Sequence, residues 1–156
     1  PIQDLSAITL LAEHFKKRGF NNAFSVSLGK RGTDTAVEAD RILKGGCDYI
    51  STQRDLITGN VTLEKKLLPV KDRNVIIFDD VISSGGTMVK AIKSVKEQGA
   101  RSVYVACVHP LLIGDAKNKI SESGADGIVG TDCVPGPFSV VSVAPLIAEA
   151  LRKREA

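Results

Sequence analysis

The apolar run Val75-Ile76-Ile77-Phe78 ends in two carboxylates, Asp79-Asp80, and within a few residues becomes Ser83-Ser84-Gly85-Gly86-Thr87 and then a helix. No other stretch constrains the fold as much. Four consecutive apolar residues make a strand buried on both faces, as in a parallel sheet. In an open parallel sheet, ligands bind outside the carboxyl ends of the strands. Small residues leading into a helix N-terminus leave backbone amides open to an anion, so the loop reads as a phosphate cradle. Ionised carboxylates only accept hydrogen bonds, and ribose hydroxyls can donate them. Asp79 and Asp80 beside the cradle therefore point to a sugar phosphate. Neighbouring strand residues face opposite ways, so both carboxylates reach one diol only if the strand has ended. Val81-Ile82-Ser83-Ser84-Gly85 is the expected turn. The plainer alternative is one exposed Asp and one helix-capping Asp. A Walker A loop is excluded, because it needs a Lys after the last Gly and Gly86 is followed by Thr87-Met88.

Around this unit, helical and strand patterns alternate. Leu5, Ile8, Leu11, Ala12 and Phe15 predict a helix over 4–17, stopped by Gly19. Strands are expected over 23–27, 47–50, 75–78, 102–107, 127–129 and 138–141. Helices are expected over 33–43, after the Ser/Gly loop to Gly99, over 115–121 and over 144–153. The stretch 56–67 alternates weakly around Thr58-Gly59-Asn60 and reads as an antiparallel hairpin or flap. The predicted fold is α/β, a mostly parallel sheet covered by helices on both faces with a short antiparallel flap. The 156 residues fit one domain, 1–156, with no internal repeat or linker.

Composition narrows the partners. A net charge of +3 is too small to argue for nucleic acid but suits an anionic substrate. Trp is absent and aromatics are scarce, which argues against a base-stacking platform. No apolar run is long enough to span a membrane, and no signal peptide precedes the first helix. Cys47, Cys107 and Cys133 are odd in number and widely spaced, so they fit buried or incidental thiols in a reducing cytoplasm rather than a zinc site or a disulfide framework. His14 is expected at the surface, His109 near the sugar phosphate or at a subunit contact, and Thr131-Asp132 in a turn or near the crevice.

The segment Phe78-Asp79-Asp80-Val81-Ile82-Ser83-Ser84-Gly85-Gly86-Thr87 resembles the phosphoribosyl pyrophosphate motif of type I phosphoribosyltransferases. Three further segments, Val108 to Gly114, Gly130 to Pro135 and Ser142 to Ala150, resemble the C-terminal domain of the ribose-phosphate pyrophosphokinase family, as does Pro1 to Leu5. The likeness covers nearly the whole chain and is strongest from Asn74 onward. It implies a type I phosphoribosyltransferase fold and transfer of pyrophosphate from ATP to ribose 5-phosphate, with Mg2+. It implies cytoplasmic oligomers and a missing N-terminal half that holds much of the ATP site. Asp79, Asp80, Ser83, Ser84, Gly85, Gly86 and Thr87 would bind ribose 5-phosphate, with the two aspartates on ribose hydroxyls directly or through the metal.

Two further loops carry departures. The segment Ser27-Leu28-Gly29-Lys30-Arg31-Gly32 follows a strand and suits pyrophosphate through Lys30 and Arg31. The family usually has Pro-Asp where Leu28-Gly29 stand, so a metal-placing Asp is missing unless Asp34 substitutes. In Tyr49 to Asp55, Arg54 matches a family Arg that stabilises the phosphoryl group in flight, but Thr52 occupies the place of a Lys. Other readings stay open: a stand-alone phosphoribosyltransferase acting on a nucleobase, a non-catalytic synthetase-like regulatory subunit, and a purely structural oligomer-forming domain.

Overall fold

The computed structural model describes residues 4–29, 32–54 and 61–155, with the side chains of Arg54, Arg154 and Glu155 outside that description. The elements in chain order are α1 (Ile8–Lys17), β1 (Phe24–Leu28), α2 (Thr33–Leu43), β2 (Cys47–Ile50), β3 (Thr52–Arg54), β4 (Val61–Leu63) and β5 (Asn74–Ile82). They continue with α3 (Gly86–Glu97), β6 (Ser102–Pro110), α4 (Ala116–Glu122), β7 (Gly127–Thr131), β8 (Ser139–Val141) and α5 (Ala144–Glu155).

Six strands form one sheet in the order β2-β1-β5-β6-β7-β8. Every pairing in it is parallel. Strand alternation divides the central strand between two cores. Val75 and Ile77 face Met88, Ala91, Ile92 and Val95 of α3 and Ile120 of α4. Ile76 and Phe78 face Ile8, Leu11, Ala12 and Phe15 of α1 and Ala39 and Leu43 of α2. All four strand residues are fully buried, which is why the run has no polar alternation. The chain winds outward from β1 to β2, returns past β1, and then winds the other way through β5 to β8. Such a reversal opens a crevice at the carboxyl ends of the two strands that flank it, here β1 and β5.

The flap is present, but its strands begin earlier than the sequence pattern implied. Thr52, Gln53 and Arg54 pair antiparallel with Leu63, Thr62 and Val61. The predicted turn at Thr58-Gly59-Asn60 lies outside the described residues. β6 runs on to Pro110 rather than ending at Cys107, because its ladder with β5 continues through Val81–His109 and Ile82–Pro110.

His14 corrects the expectation of a surface position. It lies half-buried against the edge of the Phe15 ring, and Nε2 is sealed off without a hydrogen-bond partner among the described residues. Burial, then Arg18 and Lys17, push its pKa down. A helical pattern shows which face turns inward but not how far a neighbouring ring overhangs. Thr131 is the last residue of β7, and the expected turn begins at Asp132. Thr131 Oγ1 donates to the Val108 carbonyl at 2.7 Å, and Asp132 Oδ1 accepts from the Val143 amide at 2.9 Å. Cys107 is buried, Cys47 is partly buried and Cys133 is exposed, all as free thiols.

Ser25 and Ser27 lie on the α2 side of β1, fully buried, and neither hydroxyl has a partner among the described residues. An unpaired buried hydroxyl costs about 1–3 kcal/mol. Ser25 is remote from any cleft described below, so Ser25→Ala is expected to raise stability by about 1 kcal/mol. Urea unfolding checks this: the midpoint should rise with an unchanged slope.

Candidate functional site

β5 does not end at the aspartates. It continues through Asp79, Asp80 and Val81 to Ile82, and the turn starts only at Ser83. The expected turn therefore comes later, because the ladder with β6 holds these residues extended. Asp79 shares the α3 face with Val75 and Ile77, and Asp80 the opposite face. Two clefts result, one on each side of the strand end. The first, about 170 Å³, is lined by Asp79 and by the loop from Ser83 through Thr87 to Met88. The second, about 130 Å³, lies at the β1/β5 reversal and is lined by Ser27, Leu28, Gly32, Thr35, Asp79 and Asp80, among others. Asp79 borders both.

The first cleft has the features of an anion site. Gly85 is the N-cap of α3 with φ +75°, no side chain caps the helix, and no acidic residue occupies its first turn. The amides of Gly86, Thr87 and Met88 thus have no intrahelical acceptor, and the first helical bond runs from the Val89 amide to the Gly85 carbonyl at 2.9 Å. The loop carbonyls are turned away by a brace: the Leu112 amide donates to Ile82 and the Ile113 amide to Ser83, both at 3.0 Å. Leu112 sits at φ +46°, a conformation a Leu rarely adopts. This brace was not legible in the sequence, although Gly114 and Pro110 flanking an apolar triplet could have marked a tight turn there.

The two glycines have different tasks. A Cβ on Gly85 would stand 3.3 Å from Ile120 Cδ1 and 3.4 Å from the Ala116 Cβ. A Cβ on Gly86 would meet nothing within 4 Å and would stand at the lining of the cleft. Gly85 is therefore fixed by backbone and packing, while Gly86 leaves room for a ligand to approach the backbone.

Asp79 is the electrostatic centre. Burial pushes its carboxyl up to about 6, and Asp80 pushes in the same direction, while hydrogen bonds from the Asp80 and Val81 amides partly oppose them. The Asp80 amide donates to Asp79 Oδ1 at 2.9 Å. No Lys or Arg pairs with either aspartate among the described residues. A half-buried carboxylate without a counter-charge favours a ligand that brings hydroxyl donors or a cation.

The remaining predicted residues separate into two groups. Lys30 and Arg31 lie outside the described residues, as does the Arg54 side chain; the Arg54 backbone pairs with Val61 in the flap. Asp34 is not among the residues that line either cleft. It lines a groove between α1 and α2 with Thr9, Val37, Glu38, Arg41 and Ile42, away from both clefts. Gly29 has φ +75°, and a Cβ there would stand 3.3 Å from Thr52 Oγ1. The two positions that depart from the family pattern are thus neighbours in space. His109 pairs with Val81 in the ladder, level with the strand end that carries the aspartates.

The family model described as phosphoribosyl synthetase-associated domain matches residues 66–155. The chain belongs to that family. It is 36% identical to the ribose-phosphate pyrophosphokinase of Methanosarcina acetivorans over 98% of this chain and 54% of that relative. The chain spans about half the length of the curated relatives it matches. Its fold is similar to phosphoribosylpyrophosphate synthetase from Mycobacterium smegmatis, with a TM-score of 0.74 and 25% identity over 96% of this chain and 50% of that one. A purine phosphoribosyltransferase from Pyrococcus horikoshii shares the fold at a TM-score of 0.57 and 24% identity, covering 81% of this chain and 80% of its own. The phosphoribosyl synthetase-associated match begins before β5 and ends in α5, so it contains the whole Asp79–Thr87 cleft.

Proposed function

We propose that this chain is the ribose 5-phosphate-binding half of a ribose-phosphate pyrophosphokinase, in which pyrophosphate passes from ATP to ribose 5-phosphate. The observation that carries the reading is the first cleft: uncapped α3 amides beside the half-buried carboxylate of Asp79. The phosphate lies on the amides of Ser84 to Thr87 and the hydroxyls of Ser83, Ser84 and Thr87. The α3 dipole favours the dianion. Asp79, which borders both clefts, accepts from the ribose hydroxyls on the phosphate side, and Asp80, on the opposite face of β5, accepts from the part of the ligand that reaches the second cleft. Lys30, Arg31 and Arg54 supply positive charge toward the phosphates of the second substrate. The protein works in the cytoplasm, as an oligomer or joined to an N-terminal half that brings most of the ATP site.

Mg2+ fits the donors without a built cage. No group of three or more His, Cys, Asp or Glu side chains is placed to hold a metal among the described residues. Mg2+ is commonly held by one or two carboxylates together with substrate phosphates and water, and Asp79 and Asp80 would serve as those carboxylates. When bound, the ion would neutralise phosphate charge during transfer.

The pairing in space of Gly29 with Thr52, where a side chain on Gly29 would meet the Thr52 hydroxyl, favours a second reading, a subunit that binds ribose 5-phosphate without transferring pyrophosphate. It lacks both charges that the family resemblance leads one to expect there. Calorimetric titration with ribose 5-phosphate, with and without Mg2+, tests the site. Saturable binding that Mg2+ strengthens is expected, and absence of binding in both conditions would overturn the assignment. Adding ATP and looking for phosphoribosyl pyrophosphate then separates the two readings.

A further inference from the structure

The flap is held from an unexpected direction. β4 packs its Leu63 against the same apolar cluster as Val89 on α3. The next α3 residue, Lys90, donates through Nζ to the backbone carbonyl of Val61 in β4. Val61 is the residue that pairs with Arg54 across the flap. Lys90 lies one turn along α3 from Thr87, which lines the phosphate cleft. Lys90 forms no ion pair among the described residues, so its charge faces a carbonyl rather than a carboxylate. Glu64, next to β4, is tied at its amide to the Ser51 carbonyl at 3.0 Å, so the base of the flap is fixed on both strands.

We propose that Lys90 is a positioning residue that holds the flap, and with it Arg54, against the first turns of the helix whose N-terminus receives the phosphate. The inference rests on the proposed roles of that helix end and of Arg54. An ordinary solvated lysine on α3 would make no difference to the flap. A latch makes the phosphate cradle and the flap parts of one rigid unit: α3 contributes its amides at one end and grips β4 a turn later. It also explains how a two-stranded ribbon of three residues per strand keeps its position, since isolated ribbons of that size are marginal in water.

The test is amide hydrogen exchange on the full chain, comparing the native protein with Lys90→Met and Lys90→Arg. Methionine keeps the aliphatic stem and removes the donor, and arginine keeps a donor. Lys90→Met is expected to speed exchange at Thr52–Arg54 and Val61–Leu63 by about tenfold while β5 and β6 stay protected; Lys90→Arg should restore most of the protection. Unchanged flap exchange in Lys90→Met would overturn the proposal, as would an equal loss of protection in β5, which marks a purely structural role. These measurements need no ligand. Failure of ribose 5-phosphate to bind the native chain would count against the site, whereas flap exchange alone decides the latch.

Discussion

The Asp79→Asn, Asp80→Asn double variant should lose ribose 5-phosphate binding and become more stable at neutral pH. Each carboxylate–hydroxyl hydrogen bond contributes about 1.5–3 kcal/mol, so losing both lowers affinity at least a hundredfold. The stability gain comes from Asp79. Its carboxyl is raised from 3.8 to about 6 in the folded chain, mainly by burial. Between these values the folded state holds a proton that the unfolded chain releases. The stability from this group is therefore complete below about pH 4 and is lost as pH rises through about 6. Above that, folding carries a buried charge at a cost of at most about 3 kcal/mol. Asparagine removes that cost. Denaturant midpoints of Asp79→Asn should exceed those of the native chain at pH 7.5 and converge with them near pH 4. A midpoint that falls at pH 7.5 would show that Asp79 is structural. In the native chain, affinity should also weaken below pH 6, where Asp79 becomes a neutral acid.

Substitution of the paired glycines should separate folding from binding. Gly85→Val places a β-branched side chain at φ +75° and drives its Cβ toward Ile120 and Ala116. Left-handed strain of about 1–2 kcal/mol plus overpacking of about 1–3 kcal/mol should make it one of the most destabilising changes in the chain. Gly86→Val has neither problem, because its backbone is not left-handed and its Cβ meets open space. That variant should melt within a few degrees of the native chain yet lose ribose 5-phosphate binding by more than tenfold in calorimetry. Unchanged affinity in a folded Gly86→Val would mean that the phosphate does not approach the α3 amides.

The link between stability and binding follows from the fold. The reversal of strand order between β1 and β5 leaves the end of β5 uncovered. Asp79 sits where the α3-side core stops, too deep for full solvation and too shallow to be paired by another element. A ligand that supplies donors or a cation relieves a cost the free protein carries, and the uncapped helix beside it offers the same opportunity to an anion.

The sequence by itself determined the sheet, the strand–loop–helix unit and the small-residue loop that leads into α3. A run such as Val75 to Phe78 can be buried on both faces only between two layers of helix, and residues such as Ser83 to Gly86 leave helix amides uncapped. These are local consequences of residue type and period. The tertiary structure decided the rest. β5 extends to Ile82 because β6 continues beside it, which puts the two aspartates on opposite faces; no periodicity within the strand reveals where its neighbour ends. Gly29 and Thr52 meet because β1 and β2 are adjacent in the sheet, although 23 positions separate them in the chain. The Leu112 brace and the Lys90 latch likewise join residues distant in sequence. Local pattern fixes which element forms and which face is apolar, while the register between elements, set by packing across the whole domain, fixes which functional groups share a cleft.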